Sequence, residues 1–424
     1  MKINSKKGKT NYLNQKGITL IALVITIVVL LILVGVSINV LFSENGIIAR
    51  AKNAQDKMDQ ATQNELDTID ELNDWVDSKT KENSSEEDNE TVVEISTLVG
   101  KSAVTKNTKA EDAYGNKITI PKGFKVLAHG ENATTGDVTY SYGENNIPAV
   151  QDGIVIEDTQ EGTAGNQFVW VPIGKIKNKS NDPKGATSTI TLGRYENFTA
   201  TNGVYTLAQS AEDYRKEITI STYHIELAMS REGDPSGDST DNTTARNLAE
   251  FISTSLANGG YYIARFEASG TESKIYSKYN QTVLNDLNQP KAATAARNMY
   301  GDTTEYASDL VNSYAWDTAI IFIQTYGKDA STYASENKSI SFENTGINPD
   351  KYCNIWDMSG NAQEWTTEYS NHINRDYYVV VMSGVQRGGT YSVPRKKSAA
   401  CTLTRIHSPA SSSSSALRSL LYVK

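Results

Sequence analysis

Two stretches concentrate the residues that could do chemistry. One reads Asn354-Ile-Trp-Asp-Met-Ser-Gly-Asn-Ala-Gln-Glu-Trp365, the other Arg387-Gly-Gly-Thr-Tyr391. The first carries two carboxylates, Asp357 and Glu364, around Gly360. The only thiols are Cys353 and Cys401. Two cysteines exclude a disulfide-dense scaffold and a Cys-rich zinc module. They lie 48 residues apart, and both a disulfide and two separate buried thiols remain open. His129, His224, His372 and His407 sit in unrelated contexts. Each reads as a surface or core histidine, and no nucleophile–base pair emerges. Beyond Arg387, the residues Arg395, Lys396, Lys397, Arg405 and His407 make a locally basic segment within a chain of net charge -9. That polarity favours an anionic partner for the segment. The overall charge argues against nucleic acid as the main partner. Tyrosine is abundant, 23 against 8 phenylalanines, which suits recognition surfaces and ordinary strands alike.

The elements that must position these residues come late in the chain. From Thr91 onward, short apolar or aromatic runs alternate with Gly, Asn, Asp and Thr clusters. Phe124–Leu127, Gly153–Ile156, Gln167–Val171 and Tyr261–Phe266 read as short strands joined by long loops. Ala245–Ser255 and Tyr314–Tyr326 read as helices. The polar stretch 174–244 reads as loops or an insertion. Trp170, Trp316, Trp356 and Trp365 supply the large apolar mass that a loop-rich core needs. No repeat of fixed period is present.

The late motifs, with Gly165-Asn-Gln-Phe-Val-Trp-Val-Pro172, Tyr262-Ile-Ala-Arg-Phe-Glu267 and the terminal Ala416-Leu-Arg418, resemble the formylglycine-generating-enzyme, or sulfatase-modifying-factor, domain. The resemblance spans roughly residues 120–424. It implies a C-type-lectin-like fold with little regular structure. Family enzymes carry two copper-binding thiols four and nine residues beyond the second Gly of R-G-G. Here those positions hold Val393 and Ser398, which cannot supply a soft ligand for Cu(I). The family's terminal G-F-R is replaced by Ala416-Leu417-Arg418. The resemblance also implies a calcium site with Asp357 and Glu364 side chains and Gly360 and Ala362 carbonyls, hard oxygen ligands that suit Ca²⁺. The alternative is that Glu364 pairs with a buried Arg or caps backbone amides. Lectin-like domains of this type also serve as receptor-binding tips, including targets of diversity-generating retroelements. In those, the interval between R-G-G and the terminal motif is varied. This chain places Ser392–Ser415 there. A plain low-complexity loop is the other reading of its serine run. Either way the interval is expected to be exposed, with Tyr391, Ser392, Arg395, Lys396, Arg405, His407, Ser411 and Ser413 on its ligand face.

At the other end, Ile18–Phe42 holds no charged residue and would make a helix of about 37 Å, enough to span a bilayer core with tilt. Residues 1–16 carry five lysines and no acid, which keeps this end cytoplasmic and exports the rest. The basic leader, Gly17 and the Ile18-Thr-Leu-Ile opening resemble a type IV prepilin signal. That resemblance implies cleavage between Gly17 and Ile18 by a prepilin peptidase, methylation of the new N-terminus, and a mature net charge of -14. The family's usual fifth mature residue, Glu, is Ala22 here, which puts filament incorporation in question. Residues 43–77 read as an amphipathic helical stalk and 78–90 as an acidic linker.

The expected fold class is therefore α+β. A basic leader (1–17), a transmembrane or pilin-like α-helix (18–42), a stalk (43–77) and a linker (78–90) precede a loop-rich, lectin-like domain (91–424). The expected function is ligand binding at the cell surface or on a pilus, as an adhesin or minor-pilin tip, with the C-terminal domain extracellular. The expected partners are the membrane, other pilin subunits and a protein or glycan ligand. A formylglycine-generating oxidase and a purely structural minor pilin are the alternatives.

Overall fold

A computed structural model describes residues 91–424 apart from 132–134, 196–197, 202–203, 212–217, 221–224, 229–247, 340, 375–378, 392–399, 401–402 and 408–412. Nearer the N-terminus it describes only residues 24–25 and 27–30, which are helical and exposed. The leader, stalk and linker lie outside the described residues, as does nearly all of the Ile18–Phe42 run. Among the described residues no helix is long and apolar enough to cross a membrane. The chain divides into two units, Met1–Asn89 and Glu90–Lys424.

The second unit is a mixed structure dominated by β-sheet. Its core sheet has six strands, in the order Tyr306–Leu310, Ser419–Val423, Gly260–Ala264, Gln167–Pro172, Val155–Asp158 and Phe124–Val126. All neighbours are antiparallel. The runs Gln167–Pro172, Gly260–Ala264 and Ser419–Val423 are buried at every residue. A strand covered on both faces reads as a continuous apolar run rather than an alternation. That is why Gln167–Pro172 and Gly260–Ala264 stood out in the sequence, whereas Ser419–Val423 had not been expected as a strand. Three helices flank the sheet, Leu248–Asn258, Gln289–Asn298 and Ser313–Tyr326. Asn312 caps the last of these by accepting a hydrogen bond from the Ala315 amide at 2.9 Å. Asn288 caps the second through the Lys291 amide at 3.0 Å, with Pro290 in its first turn. These are ordinary N-terminal signals, and the Gln289–Asn298 helix had nevertheless not been expected.

A second sheet carries the late motifs. Its order is Ile218–Ile220, Ile225–Ala228, Gln363–Asn374, Val379–Arg387 and Leu403–His407, with Ser415–Leu417 pairing parallel to the start of Gln363–Asn374. The chain then passes from this sheet into the core sheet across a single residue, Arg418, between Ser415–Leu417 and Ser419–Val423.

Three expectations are corrected. The stretch 174–244 is not merely loop. It holds the hairpin Gly174–Lys177 with Thr187–Ile190, the pair Gly193–Tyr195 with Leu207–Ser210, and two strands of the second sheet. Polar residues hid the Gly174–Lys177 hairpin, because a short hairpin with one wet face needs few apolar side chains, whereas Gly193–Tyr195 is buried throughout around the charged Arg194. Trp170, Trp316 and Trp365 are wholly buried, but Trp356 is half-buried, with Lys351 5.6 Å from its ring centre. The Ser392–Ser415 interval is not one exposed loop. It contains the strand Leu403–His407 and the buried residues Ala400 and Ser415.

Candidate functional site

The W-D-M-S-G-N-A-Q-E-W segment is folded as a buried polar knot. Cys353, Asn354, Asp357 and Asn361 all adopt left-handed backbone, with φ of 46°, 61°, 62° and 63°. Asn and Asp tolerate that region better than other side chains. At Gly360 a Cβ would lie 2.5 Å from the Ser339 Cβ. The knot delivers Glu364 to Arg418 at the junction of the two sheets. Arg418 Nε donates to both Glu364 oxygens, at 3.1 and 2.9 Å, and Nη2 donates to Oε1 at 2.6 Å. Its remaining hydrogen bonds go to the Ala264 and Trp356 carbonyls, at 2.9 and 2.8 Å. Both side chains are fully buried. The terminal Leu-Arg and the motif glutamate are therefore two halves of one ion pair, 54 residues apart in sequence.

Three more buried carboxylates belong to the same region, Glu267, Asp350 and Asp357. Glu267 accepts from the Ala362 amide at 3.0 Å and from the Asn361 side chain. Asp350 accepts from the Ser359 amide at 2.7 Å and the Tyr333 hydroxyl at 2.8 Å. Asp357 accepts from the Gly346 amide at 2.7 Å through Oδ2. Burial, then the charges of Asp357 and Glu364, push the Glu267 carboxyl well above the usual range. Burial, then Asp350, does the same to Asp357. Removing water disfavours the charged form of each, and like charges add to the effect.

This arrangement does not fit the calcium site expected at Asp357, Gly360, Ala362 and Glu364. Both Glu364 oxygens are engaged by Arg418, a stronger claim than a shared cation would leave open. The open alternative, Glu364 paired with a buried arginine, is the geometry found.

The R-G-G segment has an equally structural role. Arg387 Nη2 donates to Asp317 Oδ1, and Arg194 Nε donates to Asp317 Oδ2 at 3.1 Å. Arg194 Nη1 also donates to Glu368, which accepts from the Ser313 hydroxyl as well. Two arginines and two carboxylates thus form a buried, charge-balanced ladder that ties the Ser313–Tyr326 helix to the second sheet. Gly388 follows with φ of 84°, and a Cβ there would meet the Met358 carbonyl at 3.1 Å and the Trp316 ring at 3.2 Å. Arg194, Glu267, Asp317 and Glu368 were missed by sequence reasoning. For Glu267 a signal existed. Arg265 and Glu267 close an apolar strand run, and a charge in such a run is buried only when paired or well hydrogen-bonded. Arg265 is fully buried and is held by the Asn354 carbonyl at 3.0 Å, the Gln167 amide oxygen at 2.8 Å and the Asp137 carbonyl at 2.6 Å. Burial lowers its pKa to about 10.

The expected ligand face emerges from this scaffold. Tyr391 is 41% exposed and its ring lies 5.1 Å from that of Phe342. Ser413 is exposed, and its carbonyl accepts from Asn285 at 2.7 Å. Thr390, next to Tyr391, is 2% exposed, and Ser415, beyond the half-buried Ser414, is 0% exposed. Within the interval, the Ala400 amide donates to the Glu336 carbonyl at 3.0 Å, and the Ala400 carbonyl accepts from Trp316 Nε1 at 3.1 Å. Arg405 and His407 lie in the strand Leu403–His407, opposite Val385 and Ser383. Ser392, Arg395, Lys396 and Ser411 lie outside the described residues, as do Gly17 and Ile18. Cys353 is a free, half-buried thiol whose pKa burial raises, and Cys401, the other thiol of the two readings left open, lies outside the described residues.

No known family model matches the chain, and no curated protein matches it. Among solved structures it is similar to Treponema denticola variable protein 1, at 13% identity over 63% of this chain and 98% of that chain. The TM-score is 0.25, too loose a superposition to carry an inference about fold or function.

Proposed function

We propose that the protein is a surface-displayed binding protein, anchored by its prepilin-like N-terminal helix in the membrane or in a pilus, whose recognition face is the Tyr391–Ser413 interval. One observation carries the reading. The two described residues that bound the interval, Tyr391 and Ser413, are exposed, while Thr390 and Ser415 beyond them are buried and locked into the scaffold. Between them Ala400 is buried and Leu403–His407 belongs to the second sheet, so the reading rests on the exposed ends, where side chains can change at little cost to folding. Glu364, Arg387 and Arg418 of the late motifs are consumed in internal ion pairs. Val393 and Ser398 stand where the copper thiols would be. The binding reading therefore leads over an oxidase. The basic residues Arg395, Lys396, Arg405 and His407 give the face an anionic ligand preference.

The test is capture of candidate surface ligands, arrayed acidic glycans and purified surface proteins, by the full chain. The variant Tyr391→Ala/Arg395→Ala/Lys396→Ala should keep its unfolding midpoint and lose capture at least tenfold, most strongly at low salt. Capture by the variant equal to that of the parent removes this face from the proposal. Copper-dependent oxidation of a cysteine substrate peptide would restore the enzyme reading.

A further inference from the structure

A polar cleft of about 420 Å³ opens elsewhere on the second unit, and none of its lining residues belongs to the Tyr391–Ser413 interval. Four lysines line it, Lys179, Lys184, Lys328 and Lys351. Two are neutralised, Lys184 by Asp182 at 3.2 Å and Lys351 by Asp137 at 2.8 Å. Lys179 and Lys328 are exposed, and among the described residues neither has a carboxylate within ion-pair distance. The Lys179 ammonium rests 4.8 Å from the centre of the Tyr142 ring.

The acids of the cleft are already engaged. Asp152 accepts from the Ser141 and Tyr142 amides, both at 2.7 Å, and from Ala149 at 3.2 Å. Asp182 takes the Tyr142 hydroxyl at 2.7 Å besides Lys184. The cleft is thus an electropositive pocket in a chain of net charge -9, and low-dielectric walls concentrate such a field.

A second observation specifies more than charge. Gln151 lines the cleft and is 1% exposed. Its Nε2 donates to the Lys177 carbonyl at 2.6 Å, which fixes the amide's orientation, and its Oε1 has no hydrogen-bond partner. A buried amide oxygen calls for a donor. A bare inorganic anion or simple carboxylate offers none, whereas a hydroxyl does. Tyr142 and Tyr326 meet edge to face at 5.8 Å in the wall, giving rigid amphipathic sides to a space of ordinary ligand size.

We infer that this cleft is a binding site for a carboxylated sugar, an anionic polyol whose carboxylate lies between Lys179 and Lys328 and whose hydroxyl donates to Gln151 Oε1. The site is separate from the Tyr391–Ser413 face and stands whether or not that face binds.

Isothermal titration of the full chain in detergent micelles with glucuronate, galacturonate, glucose and inorganic sulfate tests it. The expected result is saturable uronate binding that exceeds glucose and sulfate binding at least tenfold. Lys179→Ala/Lys328→Ala, two exposed positions that leave folding intact, should abolish it. Gln151→Leu should weaken uronate without changing sulfate, and Tyr391→Ala should change neither. Sulfate bound as well as uronate, or uronate binding that survives loss of both lysines, overturns the assignment. Should Gln151→Leu fail to fold, the lysine pair and the sulfate comparison still decide.

Discussion

Arg418→Met is the sharpest probe of how the domain is held together. Methionine keeps an unbranched stem but removes the charge and every donor. Glu364 then loses three contacts between 2.6 and 3.1 Å, and the Ala264 and Trp356 carbonyls lose their donors. Removing one partner of a fully buried pair costs about 3–5 kcal/mol. Two orphaned carbonyls add about 1–3 kcal/mol each where no water reaches them. Set against a whole-domain stability of about 5–15 kcal/mol, that loss leaves little or no folded protein. The double variant Arg418→Met/Glu364→Leu should be more stable than Arg418→Met alone by about 1–3 kcal/mol, because the stranded charge goes with its partner. Urea unfolding followed by tryptophan fluorescence reads both, since Trp170, Trp316 and Trp365 are buried. An Arg418→Met midpoint within about 1 kcal/mol of the parent would refute the buried ion pair, and so would strict additivity in the double variant.

Glu267 and Asp357 have folded pKa values raised above their unfolded ones. The folded state then binds more protons than the unfolded state above about pH 4, so stability falls as pH rises from there through the raised values. Urea midpoints should be higher at pH 5 than at pH 8, and Glu267→Gln should flatten that slope; a midpoint that climbs with pH rejects the shift. Trp365→Ala empties a fully buried site whose Nε1 donates to the Leu287 carbonyl at 2.8 Å, and should cost about 3–5 kcal/mol by the same assay. Chelating calcium should leave the melting temperature unchanged, because Arg418 occupies the Glu364 oxygens; a downward shift would mean that the carboxylates release the arginine for a cation. Mass spectrometry of membrane-extracted protein should find Ile18 as a methylated N-terminus, and an intact Met1 would remove the prepilin reading.

Gln167–Pro172 and Gly260–Ala264 were legible in the sequence because strands buried on both faces are largely apolar, and Phe124–Val126 because buried apolar residues flank Lys125. The Ser313–Tyr326 helix was legible for the same reason, while its Asn312 cap was recognised only in the structure. The Gly174–Lys177 hairpin was not, since alternating Lys, Thr and Ser residues in short wet strands look like loop. The chain by itself also determined which residues lie between R-G-G and the terminal Leu-Arg, and that no thiol stands at 393 or 398. It could not say that Glu364 belongs to Arg418, or that Asp317 belongs to Arg194 123 residues away and to Arg387 70 residues away. A carboxylate in a polar motif serves equally as a metal ligand, a helix cap or half of an ion pair. The choice depends on which cation the backbone brings within about 3 Å, and that is a property of the junction between two sheets. The same limit hid the lysine-lined cleft. Its residues come from separate stretches of chain, and only folding brings Gln151, Lys179 and Lys328 to the lining of one cleft.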